Sequence, residues 1–520
     1  MRRQGATLLL LAACLLLMGG CRQPPPDPAG ETQVLRYVNY SPLGPLDPDR
    51  MTSSAQYTVA CHVLEGLMRV YQDTLRYGMA ERYEISEDGR MYRFFLRTDG
   101  AYSDGTPVTA ADFLRTFRRL VREDGQIGRL TMLENAVRVW EGTAEPEELG
   151  VWAEDDHTLC FRLEEPAPHF LQLLALPMYA PSRSGRGDTL TARDCNGPFA
   201  LTENGDTVTA MERNPCYWDG ASIRLDRVEA VCFPSAEEAY AAFQRGEIHV
   251  MPLPSEGSEA YTGGVQRTVE TGICEYITLY QGADSPLRSQ ALRQALNYAL
   301  DRQRYVEELG SDLIEPWARC VLPSIPGMRL SYGQEFPHTL YPLKGDRGKA
   351  EACLTQALAQ LSLDDPADIC LLLAVHDDPW TRLEGEKLQA QWEETLGITV
   401  ELVPTQTYDD WPLRPGAGRM ALLGEIAEYG DPLVYLDGWA PWVAADSPFH
   451  RCLSQAAAQS DRLIRLNCLF EAESCLLEEA PMIPLQIRSE RLLLSRRVEG
   501  FQTSATLVGG GYEFLYGYLT

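Results

Sequence analysis

Residues 369–403 constrain the fold most tightly. Ile369 to Val375 is a short apolar run that reads as a buried strand. Pro379 to Leu396 carries Leu388, Trp392 and Leu396 on one helical face and is stopped by Gly397. Ile398, Val400 and Leu402 then alternate through Val403, the signature of a second strand. Strand, helix and strand in that order form a crossover unit whose two strands run parallel. An α/β fold around a parallel sheet is the expectation.

Other segments are nearly as explicit. Met91 to Arg97 alternates Tyr92, Phe94 and Leu96 against Arg93 and Arg97, a half-buried strand. Ser103-Asp104-Gly105 makes a turn, and Thr109 caps a helix with Asp112 in its first turn. Phe113, Phe117, Leu120 and Val121 share one face of that helix. Another helix is expected to open at Ser285-Pro286, with Leu292, Ala295, Leu296, Ala299 and Leu300 as its apolar stripe. A long helix covers Asp461 to Glu479, and Met482 to Ile487 reads as a strand crossing back. The 520 residues suffice for about three domains. With no repeats and no long low-complexity linker, those domains are expected to be joined by strands.

The N-terminus reads as an export signal. Arg2 and Arg3 precede an apolar run, Leu8 to Met18, too short to span a bilayer, which needs about 20 residues. Gly19-Gly20-Cys21 resembles a lipobox, so residues 1–20 are expected to be removed and Cys21 lipidated. Arg22 to Gly30, rich in proline, then forms a stiff tether over residues 21–30. No later segment is long and apolar enough to span.

Charge and motifs exclude several classes. Lys and Arg number 46 against 74 Asp and Glu, a net charge of −28, and such a surface repels phosphate, so nucleic acid is not an expected partner. The seven histidines form no HxH, HxxxH or HExxH pattern. GxSxG, GxxxxGK[ST] and GxGxxG are absent, so neither catalysis, nor a cofactor, nor a metal is expected. Apart from Cys14 and Cys21 the cysteines are scattered without a CxxC, and their pairing cannot be read from spacing.

An ordered set of segments carries a resemblance. Leu46-Asp47-Pro48 and Leu64-Glu65-Gly66-Leu67 come first. MYRFFLRTDGAYSDGTPVTAADF (91–113), DDHTLCFRLEEPAPHF (155–170) and NGPFALTENG (196–205) follow. ERNPCYW (212–218), RQALNYALDR (293–302), EYGDP (428–432) and EEAPMIPL (478–485) complete the series. Together they resemble the oligopeptide/dipeptide-binding proteins of ABC importers, solute-binding protein family 5. The resemblance implies a periplasmic-binding-protein-like α/β fold (type II, cluster C), with two lobes, three domains and mixed sheets flanked by helices. Lobe I would combine 31–58, 185–271 and 487–520 with an inserted domain at 59–184, and lobe II would be 272–486. Two strands crossing near residues 272 and 486 would form the hinge.

The resemblance also implies a site. The family's anchoring acid in a GWxADYxDP-like segment falls on Glu428, with Glu425 where the family has Trp. Glu428 would pair with a peptide's α-ammonium; the alternative is a solvated surface acid. Gly424 would admit the ligand close to the backbone, or be a plain turn. Tyr408, Tyr429, Trp439 and Trp442 would line the cleft or belong to the core. Asn39, Tyr40 and Ser41 would face ligand or form an edge strand, and Arg414 would meet a carboxylate or lie on the surface.

The function implied is capture of oligopeptides in an interlobe cleft and delivery to an ABC permease, by a monomeric lipoprotein. Its place would be the outer face of the cytoplasmic membrane or the periplasm. The alternatives are another small solute, such as a nickel complex or a sugar, or peptide-signal sensing without transport.

Overall fold

The computed structural model describes residues 32–122, 128–183, 189–255, 257–406, 417–505 and 511–520. A mixed sheet of 11 strands runs through the molecule. From one edge its order is Thr399–Thr405, Cys370–His376, Gly418–Ile426, Val265–Tyr280, Met482–Leu494, Val250–Pro252, Val34–Asn39, Arg227–Cys232, Val208–Arg213 and Phe199–Asn204. The short strand Ile314–Pro316 pairs with Met482–Leu494 off this path.

The crossover unit stands as its sequence foretells. Cys370–His376 and Thr399–Thr405 pair in parallel across the helix Pro379–Leu396. Asp378 caps that helix by accepting from the backbone N–H groups of Trp380 and Thr381, and Gly397 ends it at φ +68°. Leu388, Trp392 and Leu396 bury against Leu371, Leu373 and Val375 in one core. A second core, on the other side of the long strands, gathers Leu35, Tyr37, Val228, Phe199 and Phe514.

Two long antiparallel strands join these halves: Val265–Tyr280, of 16 residues, and Met482–Leu494, of 13. They pair from Val265 opposite Leu494 to Thr278 opposite Met482. The ladder breaks between Glu270 and Cys274, and again between Glu275 and Tyr276. Gly272 sits in the first break at φ +76°, where a Cβ would lie 2.1 Å from the Ala505 carbonyl oxygen. The strand expected at Met482 to Ile487 is therefore the first half of a longer element.

A separate four-stranded antiparallel sheet orders Ala80–Ile85, Met91–Leu96, Thr158–Arg162 and Val151–Asp155. Tyr92, Phe94 and Leu96 point inward as their alternation requires. Phe113, Phe117, Leu120 and Val121 of helix Ala110–Arg122 cover them, and the Asp112 carboxylate accepts from the Thr109 N–H at 2.9 Å. This core is continuous with Tyr429, Tyr435, Trp439, Leu466 and Ile487, so the small sheet packs directly on the larger one's crossover half.

One expected helix start is corrected. Ser285 caps only a single 3-10 turn, Pro286–Arg288, and the α-helix begins at Gln290 with Ser289 as its cap. The buried Arg293 guanidinium claims the carbonyls of Leu287 and Arg288, which a continuous helix would have used for its own ladder. Leu300 lies just past the helix end but remains buried. The cysteines from Cys61 to Cys475 are all free thiols.

Helix Arg462–Glu479 is locked to the 319–336 segment by one carboxylate. Glu473, 1% exposed, pairs with Arg319 and accepts from the backbone N–H groups of Cys320 (3.1 Å) and Val321 (3.0 Å) and from the Tyr332 hydroxyl (3.2 Å). Removing one partner of such a pair leaves the other buried and uncompensated. Glu473→Ala is expected to cost about 3–5 kcal/mol in denaturant unfolding; a loss below about 1 kcal/mol would refute this role.

Candidate functional site

The strand Gly418–Ile426 has two different neighbours. On one side Val265–Tyr280 pairs with it from Arg419 to Ile426. On the other, Cys370–His376 pairs only from Gly418 to Ala421. Among the described residues, Leu422 to Ile426 therefore leave one edge without a strand partner. Gly424 is exposed on that stretch and carries no side chain to shield the backbone.

Beyond the free edge the chain turns into Ala427–Asp431, held by the broken ladder. The Gly272 carbonyl, freed from strand pairing, accepts from the Ala427 N–H at 3.0 Å and from the Tyr435 hydroxyl at 2.8 Å. Asp431 is buried and accepts two bonds from Arg465, at 2.6 and 2.9 Å. Arg465 also donates to His169 Nδ1 at 3.1 Å, and burial takes that imidazole down to about 4, so it stays neutral. Glu428 is fixed between these anchors.

Glu428 is neither bulk-exposed nor sealed: its side chain is 34% exposed and pairs with Arg129, which lies beside the small sheet. Around this pair stand two more acids, Glu425 and Asp437. Burial pushes Glu425 up to about 7, reinforced by the charges of Asp437 and Glu428 and opposed by Arg129. Burial also raises Glu428 and Asp437, again against Arg129. Three carboxylates thus share one guanidinium, an arrangement that attracts a further cation.

A cavity of about 440 Å³ opens beside the strand Met482–Leu494. Ser255, Leu313, Asp378, Trp380, Arg488 and Ser489 are among its walls. Behind Arg488 lies a polar cluster in register with Gly424, because Glu275 stands opposite both Gly424 and Gln486. Arg488 donates to Glu275 (2.5 Å) and Glu384 (3.2 Å), and Gln486 donates to both carboxylates. A larger hollow of about 660 Å³ follows helix Ala110–Arg122; its Arg115, Arg118 and Arg119 are already paired with Asp112, Glu147 and Asp49.

The sequence-expected residues divide accordingly. Glu428, Glu425 and Gly424 come together at the strand end. Of their two alternatives, Tyr429 and Trp439 take the core position: they are 2% and 4% exposed, Tyr429 stacked on His169 and Trp439 edge-on to Tyr276. Trp442 is half-buried against Tyr280. Asn39, Tyr40 and Ser41 end the strand Val34–Asn39 in the other half, with the Tyr40 hydroxyl donating to the Pro252 carbonyl. Tyr408, Arg414 and Cys21 lie outside the described residues. Sequence reasoning missed Arg129, Asp437, Glu384 and Arg488. Only an unusual density of charge on otherwise apolar strands marks Glu275 and Arg488, and nothing local marks Arg129.

The Glu384 cluster gives a pH prediction. Burial raises its carboxyl to about 7, with Glu275 adding and Arg488 opposing. The folded state then holds a proton that the unfolded state has released above about 4.5. This contribution is full at low pH and lost as pH rises through about 7. Glu384→Gln is expected to flatten the fall in stability between about pH 5 and pH 8, with a relative gain of about 1–3 kcal/mol at the upper end. Identical pH profiles for the two proteins would contradict it.

Comparison with known proteins gives the family. The dipeptide-binding protein DppE of Bacillus subtilis (strain 168) is 24% identical over 502 residues, covering 90% of this chain and 89% of that protein. The oligopeptide-binding protein OppA of the same organism is 25% identical over 508 residues, covering 91% of each. Among solved structures, the pheromone receptor PrgZ superposes with a TM-score of 0.74 at 21% identity, covering 94% of this chain and all of that one, and so shares its two-lobed fold. The family profile for bacterial extracellular solute-binding proteins, family 5, matches residues 74–447, and the chain belongs to that family of binding proteins.

Proposed function

We propose that this protein captures oligopeptides outside the cytoplasm, in the cleft between its lobes, and hands them to an ABC permease. The observation that carries the reading is the free edge at Leu422–Ile426 ending in Glu428. An extended peptide offers one N–H and one C=O per residue, and a free strand edge pairs with them whatever the side chains. The acids beside that edge supply a place for the α-ammonium, where a charge-assisted bond in a shielded site outweighs an exposed one. Micromolar binding needs about 8 kcal/mol, which several backbone bonds and one such pair can supply.

Several further assignments belong to this reading. Residues 1–20 are an export signal and Cys21 the lipidated N-terminus, so the monomer is tethered at the outer face of the membrane by residues 21–30. Residues 59–184 form a domain inserted into lobe I (31–58, 185–271, 487–520), and 272–486 form lobe II. Gly424 and Glu428 contact ligand from lobe II, together with Tyr408 and Arg414. Asn39, Tyr40 and Ser41 face it from lobe I.

The test is calorimetric titration with a mixed library of free-amino peptides and their N-acetylated counterparts. Free-amino peptides are expected to bind at micromolar or tighter levels. Glu428→Gln is expected to weaken them roughly ten- to hundred-fold while leaving acetylated peptides nearly unchanged. Stabilisation by some other solute and by no peptide would overturn the ligand assignment. Because burial raises Glu425 to about 7, affinity for free-amino peptides is expected to fall as pH drops through about 7 and Glu425 takes up a proton. A flat profile would contradict a charged Glu425 beside the ligand's amino end.

A further inference from the structure

Arg129 holds the carboxylate that the proposed reading gives to the ligand. It belongs to the 3-10 turn Gly128–Met132 on the small-sheet side, and it pairs with Glu428 across to the other lobe. The Arg129 side chain is half-buried, and its pairing is only partial. Arg129 Nε is buried yet makes no hydrogen bond among the described residues. The guanidinium carbon stands 5.6 Å from the Tyr429 ring, a weak supplementary contact. By contrast Arg465 places two nitrogens on Asp431 and one of them also on His169. Arg129 is thus held by fewer protein partners than Arg465.

A second acid lies within its electrostatic reach. Asp437 acts electrostatically on Arg129, and Arg129 on Asp437. An arriving ammonium at Glu428 repels the guanidinium and leaves a neighbouring acid to receive it. We propose that Arg129 is an internal competitor: it occupies Glu428 when no ligand is present, yields it to the ligand's ammonium, and moves to Asp437. The inference rests on Glu428 being the ammonium anchor and adds what regulates access to it. Arg129 is a positioning residue whose release sets the affinity, and each binding event exchanges one ion pair for two.

The experiment measures peptide affinity for the wild type, Arg129→Gln, Arg129→Lys, Asp437→Asn and the double variant R129Q/D437N, each checked for folding by thermal unfolding. The probes are one free-amino oligopeptide and its N-acetylated form. Arg129→Gln is expected to tighten the free-amino peptide roughly three- to thirty-fold and to change the acetylated one by less than about two-fold. Arg129→Lys keeps a cation at Glu428 and is expected to stay near wild type. Asp437→Asn is expected to weaken free-amino binding in the wild-type background and to have little effect with Gln at position 129, a non-additivity that a merely structural arginine would not produce. Unchanged or weaker free-amino binding by Arg129→Gln, or additive effects of the two substitutions, overturns the inference. Should Arg129→Gln fail to fold, the Asp437→Asn result decides alone: unaltered free-amino affinity overturns it. Absence of peptide binding by every folded protein would instead defeat the peptide reading itself, and the competitor with it.

Discussion

The backbone ladder between Val265–Tyr280 and Met482–Leu494 is the constraint on which the rest of the structure depends. It makes one sheet out of two halves, each with its own core. The halves cannot separate without losing hydrogen bonds that have no other partner. The ladder is irregular at residues 271–273 and opposite Leu485, where fewer backbone bonds resist bending. The first break exposes the Gly272 carbonyl, and that oxygen holds the segment carrying Glu428 through Ala427 and Tyr435. The break in the ladder and the segment that carries Glu428 are therefore joined through the Gly272 carbonyl oxygen.

Acids in this protein fall into two electrostatic kinds. Glu473 and Asp431 are buried with full partner sets, and each fastens a helix to a loop. Glu425, Glu428 and Asp437 share one arginine, and burial raises all three. Completely paired acids contribute to rigidity; carboxylates left short of cations keep an unfavourable desolvation term that a proton or an incoming cation relieves. The same distinction recurs across the sheet, where Glu275 and Glu384 divide Arg488 between them.

Much of the architecture was legible because local rules and tertiary packing agree. Residues 369–403 announce strand, capped helix and strand, and Asp378, Gly397 and the Leu388–Trp392–Leu396 face do what their chemistry demands. The helix expected at Ser285-Pro286 was misplaced because Arg293, held by carbonyls around residue 480, also takes those of the turn. That long-range contact leaves no trace in the local pattern. At the site, Glu428 was legible only by resemblance. For Tyr429 and Trp439 the sequence leaves cleft and core both open, because aromatic residues beside a binding motif look alike whether they face ligand or core. Arg129 and Glu428 lie far apart in sequence, and only the packing of the small sheet on the crossover half brings them together.

Glu425, where the resemblance places a tryptophan, has a physical consequence. Its side chain leaves the strand on the face opposite to Gly424 and Glu275, toward Asp437 and the Glu428–Arg129 pair. An indole there would offer a flat apolar wall; a carboxylate adds charge without comparable contact area. On the proposed reading, selection at this end of the cleft moves from shape to electrostatics, with backbone pairing along Leu422–Ile426 still indifferent to side chains. Such a site discriminates by the number and placement of positive charges near a ligand's amino end. Its selectivity is therefore more sensitive to salt and pH than that of a site lined by rings.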